Sequence, residues 1–244
     1  MMLEASPRKP ILFLDFDGTI SERDAIDAIL EEFADERWVA VEEEWKSGRI
    51  GSRECLARQM EFVRAAPREL DALLASIKLD EGFGALLDAC ALLNVDVNIV
   101  SDGFDYCIRR ILTVASDPHV KKLMRGVRAC SSHLAHAGGG RWQTEFPYYR
   151  SPCAHGCATC KPAVMNLLNP QDAVSVFVGD GLSDRYAARE ADLVFAKKSL
   201  ALFCREQSIA HTVYASLNDV ATRLEEIVRE PIRMSHEMEE RARA

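Results

Sequence analysis

Apolar positions along the chain fall into two kinds of run. Ile11 to Phe16 (ILFLDF) is a short continuous stretch of strand length that breaks off at Asp17-Gly18, a turn signal. Val95 to Val100 (VDVNIV), Val127 to Ser131, Val174 to Val178 (VSVFV) and Leu193 to Phe195 read the same way. Between these runs the apolar positions recur at helical spacing, which predicts helices over Phe83 to Leu93, Tyr106 to Val114, Lys161 to Leu168 and Ser183 to Glu190, with two more before Arg229. Ala135 to Pro152, rich in glycine and aromatics, fits either a loop or a β-ribbon. From Pro231 the chain is a charged tail.

The stretch from Ser21 to Asp80 has no strand pattern. Ala25, Ile26, Ile29, Leu30 and Phe33 share one helical face, as do Trp38, Val41 and Trp45. Gly48 and Gly51 break the periodicity; Ser52 then reads as the N-cap of a helix through Val63, and Pro67 suits the first turn of another through Ile77. The prediction is an α/β fold: a doubly wound, Rossmann-like parallel sheet with a small inserted helical domain. Residues 1–20 and 81–230 form the core, 21–80 the insert and 231–244 a polar tail. Trp38, Trp45 and Phe62 are read as the insert's own small core, with a pocket lining as the alternative.

In such sheets ligands bind beyond the carboxyl ends of the strands. Asp15 and Asp17 stand there after the first strand, Ser101 after the second, and Asp180 and Asp184 after Val178. Two carboxylates two residues apart project to the same side and repel, which a hard cation with oxygen ligands relieves; Asp15, Asp17 and Asp180 are the candidate ligands of Mg²⁺. A carboxylate can also attack phosphorus and carry it as an aspartyl-phosphate. Ser101 with the amides of Asp102 and Gly103, and Lys161 at a helix start, are suited to bind phosphate oxygens. Asp17 is placed to protonate a leaving oxygen and then to deprotonate water.

Composition narrows the chemistry further. With 30 Lys+Arg against 38 Asp+Glu, the formal charge of −8 argues against a nucleic-acid binder, and no basic cluster offsets it. No apolar run reaches the roughly 20 residues of a membrane span, and no signal-peptide pattern precedes the first strand, so a cytoplasmic protein without a membrane partner is expected. Of eight cysteines, Cys153, Cys157 and Cys160 fall within eight positions, with His155 among them and His133 and His136 upstream. Structural Zn²⁺, a disulfide and free thiols are the three readings of that cluster.

Four motifs carry a resemblance. DFDGTI (Asp15 to Ile20), IVSDGF (Ile99 to Phe104), CKPAVM (Cys160 to Met165) and VGDGLSD (Val178 to Asp184) resemble, in order, those of haloacid-dehalogenase-superfamily phosphatases. The resemblance implies Asp15 as nucleophile and Asp17 as acid/base. It also implies Ser101 and Lys161 on phosphate, and Asp180 on Mg²⁺ with Asp184 in support. The insert corresponds to the small helical cap of the phosphoserine-phosphatase-like subgroup. Within that subgroup the likeness is strongest to the methionine-salvage phosphatases of 2-hydroxy-3-keto-5-methylthiopentenyl-1-phosphate. Asp24 after DFDGTISER, the lead-in CAHGCATCKP and FAKKSLALFCREQSIAH (Phe195 to His211) carry it. Gly181 departs from that pattern, and at the register of the phosphoserine carboxylate-binding arginine stands Gln59, with Arg58 beside it.

The expectation is a Mg²⁺-dependent phosphomonoesterase for a small phosphorylated metabolite, monomeric or homodimeric, with Asp24 and Arg58 choosing the substrate. Phosphoserine, phosphoethanolamine and phosphocholine esters are alternative substrates. A non-catalytic or redox- or zinc-responsive binding protein on the same scaffold is the alternative of another class.

Overall fold

The computed structural model describes residues 9–169 and 173–229. The first eight residues and the tail over 231–244 lie outside the described residues. The sheet is built from β1 (Pro10–Leu14), β2 (Asp96–Phe104), β3 (Arg128–Gly138), β4 (Arg141–Glu145), β5 (Val174–Gly179), β6 (Leu193–Ala196) and β7 (Thr212–Val213). Its order is β4-β3-β2-β1-β5-β6-β7. Neighbours run parallel except β3 and β4, an antiparallel hairpin at one edge. The sheet is therefore parallel over its body, and the Gly/aromatic stretch resolves as a ribbon up to Glu145.

The central strand shows why the apolar runs are continuous rather than alternating. Leu12 and Leu14 pack into one core with Ile99, Val176 and Val178, while Ile11 and Phe13 pack into a second core with Val100, Phe177 and Val194. Successive side chains take opposite faces, and a parallel sheet covered on both faces needs apolar residues at every position.

Helices fill both faces. One side carries α5 (Phe83–Leu93) and α6 (Asp105–Ala115), which contribute Phe83, Leu86, Ile108 and Ile111 to the first core. The other carries α8 (Lys161–Leu168), α9 (Arg185–Glu190) and α10 (Lys198–Glu206), which contribute Val164, Ala187 and Leu200 to the second. A short α7 (Pro118–Leu123), capped by Asp117, follows α6 and has no counterpart in the sequence reading; six residues are too few to show a period. Residues 217–229 are helical again.

Between β1 and α5 lie α1 (Ala25–Phe33), α2 (Trp38–Lys46), α3 (Ser52–Met60) and α4 (Pro67–Leu74). The chain leaves and re-enters the sheet layer side by side. Ser21 pairs antiparallel with Leu79, Glu22 N–H bonds Lys78 O at 3.0 Å, and Asp80 N–H bonds Ile20 O at 2.8 Å. Ile26, Ile29, Leu30, Leu56, Met60 and Leu70 of these helices are buried. The helix expected from Ser52 starts there, but Gly51 takes the cap position and Ser52 is free for other work.

Candidate active site

The carboxyl ends of β1, β2 and β5 meet at one cavity. Asp15 directly follows β1 and is 4% exposed. Lys161, at the start of α8 and 1% exposed, donates to Asp15 Oδ1 at 2.6 Å and to Asp184 Oδ1 at 2.5 Å. The second oxygen of Asp184 accepts the amides of Asp180 and Gly181, each at 3.0 Å, which fixes the turn after β5. Asp180 Oδ2 accepts from Lys198 at 2.9 Å. Oxygen atoms of Asp15, Asp180 and Asp184 all lie within 4.8 Å of one another.

Three carboxylates against two ammonium groups leave negative charge uncompensated. Burial, then repulsion from Asp184, pushes the Asp15 carboxyl well above the usual range, with Lys161 pulling the other way. Asp180 is raised likewise by burial and by Asp184. Lys161 is held charged: burial lowers its pKa, but Asp15, Asp184 and Asp102 outweigh it. Oxygen-only donors with excess negative charge fit a hard divalent cation, and do not resemble the sulfur and nitrogen set that zinc prefers.

Asp17 points the same way as Asp15. Its Oδ1 accepts the Ala25 amide at 2.9 Å. Its pKa rises to about 6, chiefly through burial, opposed by that amide and helped by Asp180. Ser101 Oγ accepts the Gly103 amide at 3.0 Å. Two glycines make the approach possible. Gly18 has φ +72°, and a Cβ there would stand 2.9 Å from Asp180 Cγ; a Cβ on Gly103 would stand 3.1 Å from Ser101 Oγ.

These residues form the floor of a cavity of about 480 Å³, and the helical insert forms its roof. The roof mixes charge and apolar surface: Asp24, Asp27, Glu42 and Gln59 beside Ile26, Trp45 and Leu56. Gln59 Nε2 donates to Glu42 Oε2 at 2.8 Å.

A family model for haloacid dehalogenase-like hydrolases matches residues 12–189, from β1 through α9. The chain belongs to the haloacid dehalogenase-like hydrolases. It is 28% identical over 224 residues to a 2-hydroxy-3-keto-5-methylthiopentenyl-1-phosphate phosphatase of Geobacillus thermodenitrificans, covering 89% of this chain and 96% of that one. The same-named protein of Brevibacillus brevis is 27% identical, over 92% and 99%. Among solved structures, a substrate-bound phosphoserine phosphatase superposes with a TM-score of 0.66 at 20% identity, covering 89% of this chain and 99% of that one.

Within this hydrolase fold, Asp15, Asp17, Ser101, Asp102, Gly103, Asp180 and Asp24 all line the cavity. Asp24 does so while capping α1, accepting the amides of Ile26 at 2.8 Å and Asp27 at 3.1 Å. Lys161 and Asp184 stand behind the floor rather than in its lining. Arg58 is not brought in. Its guanidinium is tied to Glu44 of α2 at 2.8 and 3.0 Å, outside the cavity lining that its buried neighbour Gln59 joins. Trp45 joins the lining, whereas Trp38 packs on the core and Phe62 lies under the Arg37 guanidinium at 4.8 Å.

Of the three readings of the cysteine cluster, the zinc one finds no support. Among the described residues, Cys153, Cys157 and Cys160 are free thiols, and the metal-type cluster is the carboxylate one. The histidines are committed elsewhere: His155 stacks on Tyr186 at 3.8 Å, His133 bonds Asp105 at 2.9 Å, and His136 meets the Trp142 edge at 5.2 Å. Sequence reasoning also passed over Lys198, whose signal was a lysine pair directly after a strand end.

Proposed function

We propose that this protein is a Mg²⁺-dependent phosphomonoesterase that works through an aspartyl-phosphate on Asp15. Its proposed substrate is the small ester 2-hydroxy-3-keto-5-methylthiopentenyl-1-phosphate. The observation that carries the reading is the buried Asp15 carboxylate, held by Lys161 at the end of β1 and facing a roofed cavity.

Asp15 attacks phosphorus in line with the ester oxygen, forming one P–O bond as the ester P–O bond breaks. Asp17 gives its proton to the departing oxygen. It then takes a proton from the water that attacks phosphorus and breaks the bond to Asp15, releasing inorganic phosphate. Ser101 and the amides of Asp102 and Gly103 hold the phosphate oxygens, and Lys161 supplies positive charge from behind. Mg²⁺, held by Asp15 and Asp180 with Asp184 in support, supplies further positive charge to the phosphate oxygens when bound. The insert acts as a cap: it closes over the floor and excludes water.

The roof argues for the substrate. Ile26, Trp45 and Leu56 offer apolar surface to a methylthio tail. The roof's cations are spent: Lys46 pairs with Glu42 at 3.2 Å, and Arg23 pairs with Glu31. A substrate carboxylate would face Asp24, Asp27 and Glu42 without a partner. Phosphoserine is therefore expected to be a poor substrate.

The deciding experiment measures hydrolysis of the keto ester, phosphoserine, phosphoethanolamine and para-nitrophenyl phosphate, with Mg²⁺ and with chelator. Turnover is expected to vanish with chelator and return with Mg²⁺. The keto ester is expected to exceed phosphoserine in kcat/KM by about 100-fold, roughly what one unpaired buried charge costs. A preference for phosphoserine would overturn the substrate assignment.

A further inference from the structure

Ser52 opens α3, yet its hydroxyl does not cap that helix. It donates to Asp102 Oδ2 at 2.5 Å and accepts the Ala158 amide at 3.0 Å. The other Asp102 oxygen accepts the Thr159 amide, also at 3.0 Å. Beside this link, Arg53 N–H donates to Gly156 O at 3.0 Å. Gly51 and Gly156 pack backbone to backbone, so that a Cβ on Gly156 would stand 3.1 Å from Gly51 Cα. The insert is thus seated on residues 156–159 through three consecutive positions, 51–53.

Both ends of the link lead to the phosphate end of the cavity. Asp102 sits between Ser101 and Gly103, whose amide bonds Ser101 Oγ at 3.0 Å. Thr159 is two residues before Lys161, and its carbonyl accepts the Lys161 amide at 2.8 Å. One hydroxyl from the insert therefore joins the Ser101–Gly103 segment of β2 to the segment that delivers Lys161. The three groups come from elements far apart in sequence, and the serine is the piece that belongs to the roof.

We propose that Ser52 is a positioning residue: its bonds to Asp102 and Ala158 make seating of the insert a condition for aligning the Ser101–Gly103 segment of β2 and Lys161 on phosphate. The proposal rests on the phosphatase reading above. Asp102 is a partly buried carboxylate whose pKa is raised by desolvation, with Lys161, Ser52 and Thr159 opposing. Losing the serine hydroxyl leaves one carboxylate oxygen without a donor, and the side chain must seek another by moving the end of β2 that carries it. A lifted roof would have the same effect, so phosphate is gripped only when the cavity is shut. Such coupling delays attack until water is excluded.

The test compares Ser52→Ala and Ser52→Thr with the unaltered protein. Three quantities are read with para-nitrophenyl phosphate as substrate: KM, kcat, and the inhibition constant of inorganic phosphate. Hydrogen exchange of a peptide covering residues 99–105 is read alongside. Ser52→Ala is expected to raise KM and the phosphate constant about tenfold, the effect of one hydrogen bond to a charged group, with a smaller fall in kcat. It is also expected to speed exchange at residues 99–105, whose amides Ser52 does not touch. Ser52→Thr keeps the hydroxyl and is expected to stay within about threefold of the parent. Asp102→Asn combined with Ser52→Ala is expected to be no worse than the worse single variant, because both remove one link. A Ser52→Ala protein that melts lower but keeps its KM, phosphate constant and exchange pattern would reduce the serine to a structural contact and overturn the proposal. Should the parent hydrolyse no ester, the phosphatase reading fails instead. Phosphate titration by calorimetry and the exchange measurement then decide the role of Ser52 on their own.

Discussion

The floor and the roof of the cavity are built on opposite plans. The floor gathers Asp15 and Asp180 from two strand ends, backed by Asp184 from the turn after β5 and Lys161 from a helix start, all at most 8% exposed and bonded to one another. The roof takes Glu42, Trp45 and Gln59 from two helices, each placed by its helical phase, and Asp24 from the cap of a third. The floor is a fixed charge arrangement aimed at one chemical group, phosphate. The roof is a surface of mixed character that meets whatever phosphate is attached to. Rate should therefore live below and selectivity above.

The sharpest way to break this division is Asp15→Asn. The amide is isosteric and keeps a place beside Lys161, but it is not a competent nucleophile. Turnover of para-nitrophenyl phosphate is expected to fall by about 10⁴-fold or more, the scale on which removal of a nucleophile acts. The circular dichroism spectrum should be unchanged. Residual turnover above a hundredth of the parent would mean that the floor does not work through Asp15.

A second test removes the cation that makes the floor affordable. Lys161→Met conserves length but leaves Asp15 and Asp184 facing each other without their shared ammonium. Breaking a buried charge set from one side costs about 3–5 kcal/mol, so a clear drop in melting temperature is expected. Mg²⁺ should restore more stability to this variant than to the parent, because it replaces part of the missing charge. Equal Mg²⁺ stabilisation of both proteins would separate Lys161 from the metal cluster.

The same contrast explains what was legible in the sequence. Asp15, Ser101 and Asp180 are announced locally: an apolar run of five or six positions, then a carboxylate or hydroxyl. Asp15 and Asp180 directly follow strands, as their runs predict, whereas β2 continues past Ser101 to Phe104 through an irregular register that the sequence does not announce. The sheet body followed from the same runs, whereas β7, with two residues, and α7, with six, are too short to carry a period. The roof offers no such punctuation. Whether Arg58 or Gln59 faces the cavity depends on a rotation of about 100° per residue around α3, and a register error of one position exchanges them. Ser52 was read as a cap because the sequence shows a serine before a helix, and only the folded chain brings Asp102 within reach of it. The cysteine spacing suggested zinc, but ligand spacing is necessary rather than sufficient. His155 had to turn inward, and it stacks on Tyr186 instead.

The neighbouring pair on α3 supplies the finest test of the roof. Gln59 is 1% exposed, donates to Glu42 at 2.8 Å and lines the cavity. Gln59→Leu keeps the volume, removes the donor and leaves Glu42 with one partner fewer beside the substrate. The KM of the keto ester is expected to rise about tenfold, while para-nitrophenyl phosphate, which has no hydroxyl or keto group to offer the roof's polar groups, shifts by less than about threefold. Arg58→Ala should do far less. The guanidinium holds Glu44 at the surface of the insert, where solvent screens the pair, and neither group lines the cavity. Both substrates should stay within about twofold of the parent. If Arg58→Ala instead shifted the keto ester selectively and Gln59→Leu did not, α3 would present its other face in solution. The roof would then be cationic where it is now acidic, and the case against phosphoserine would reverse.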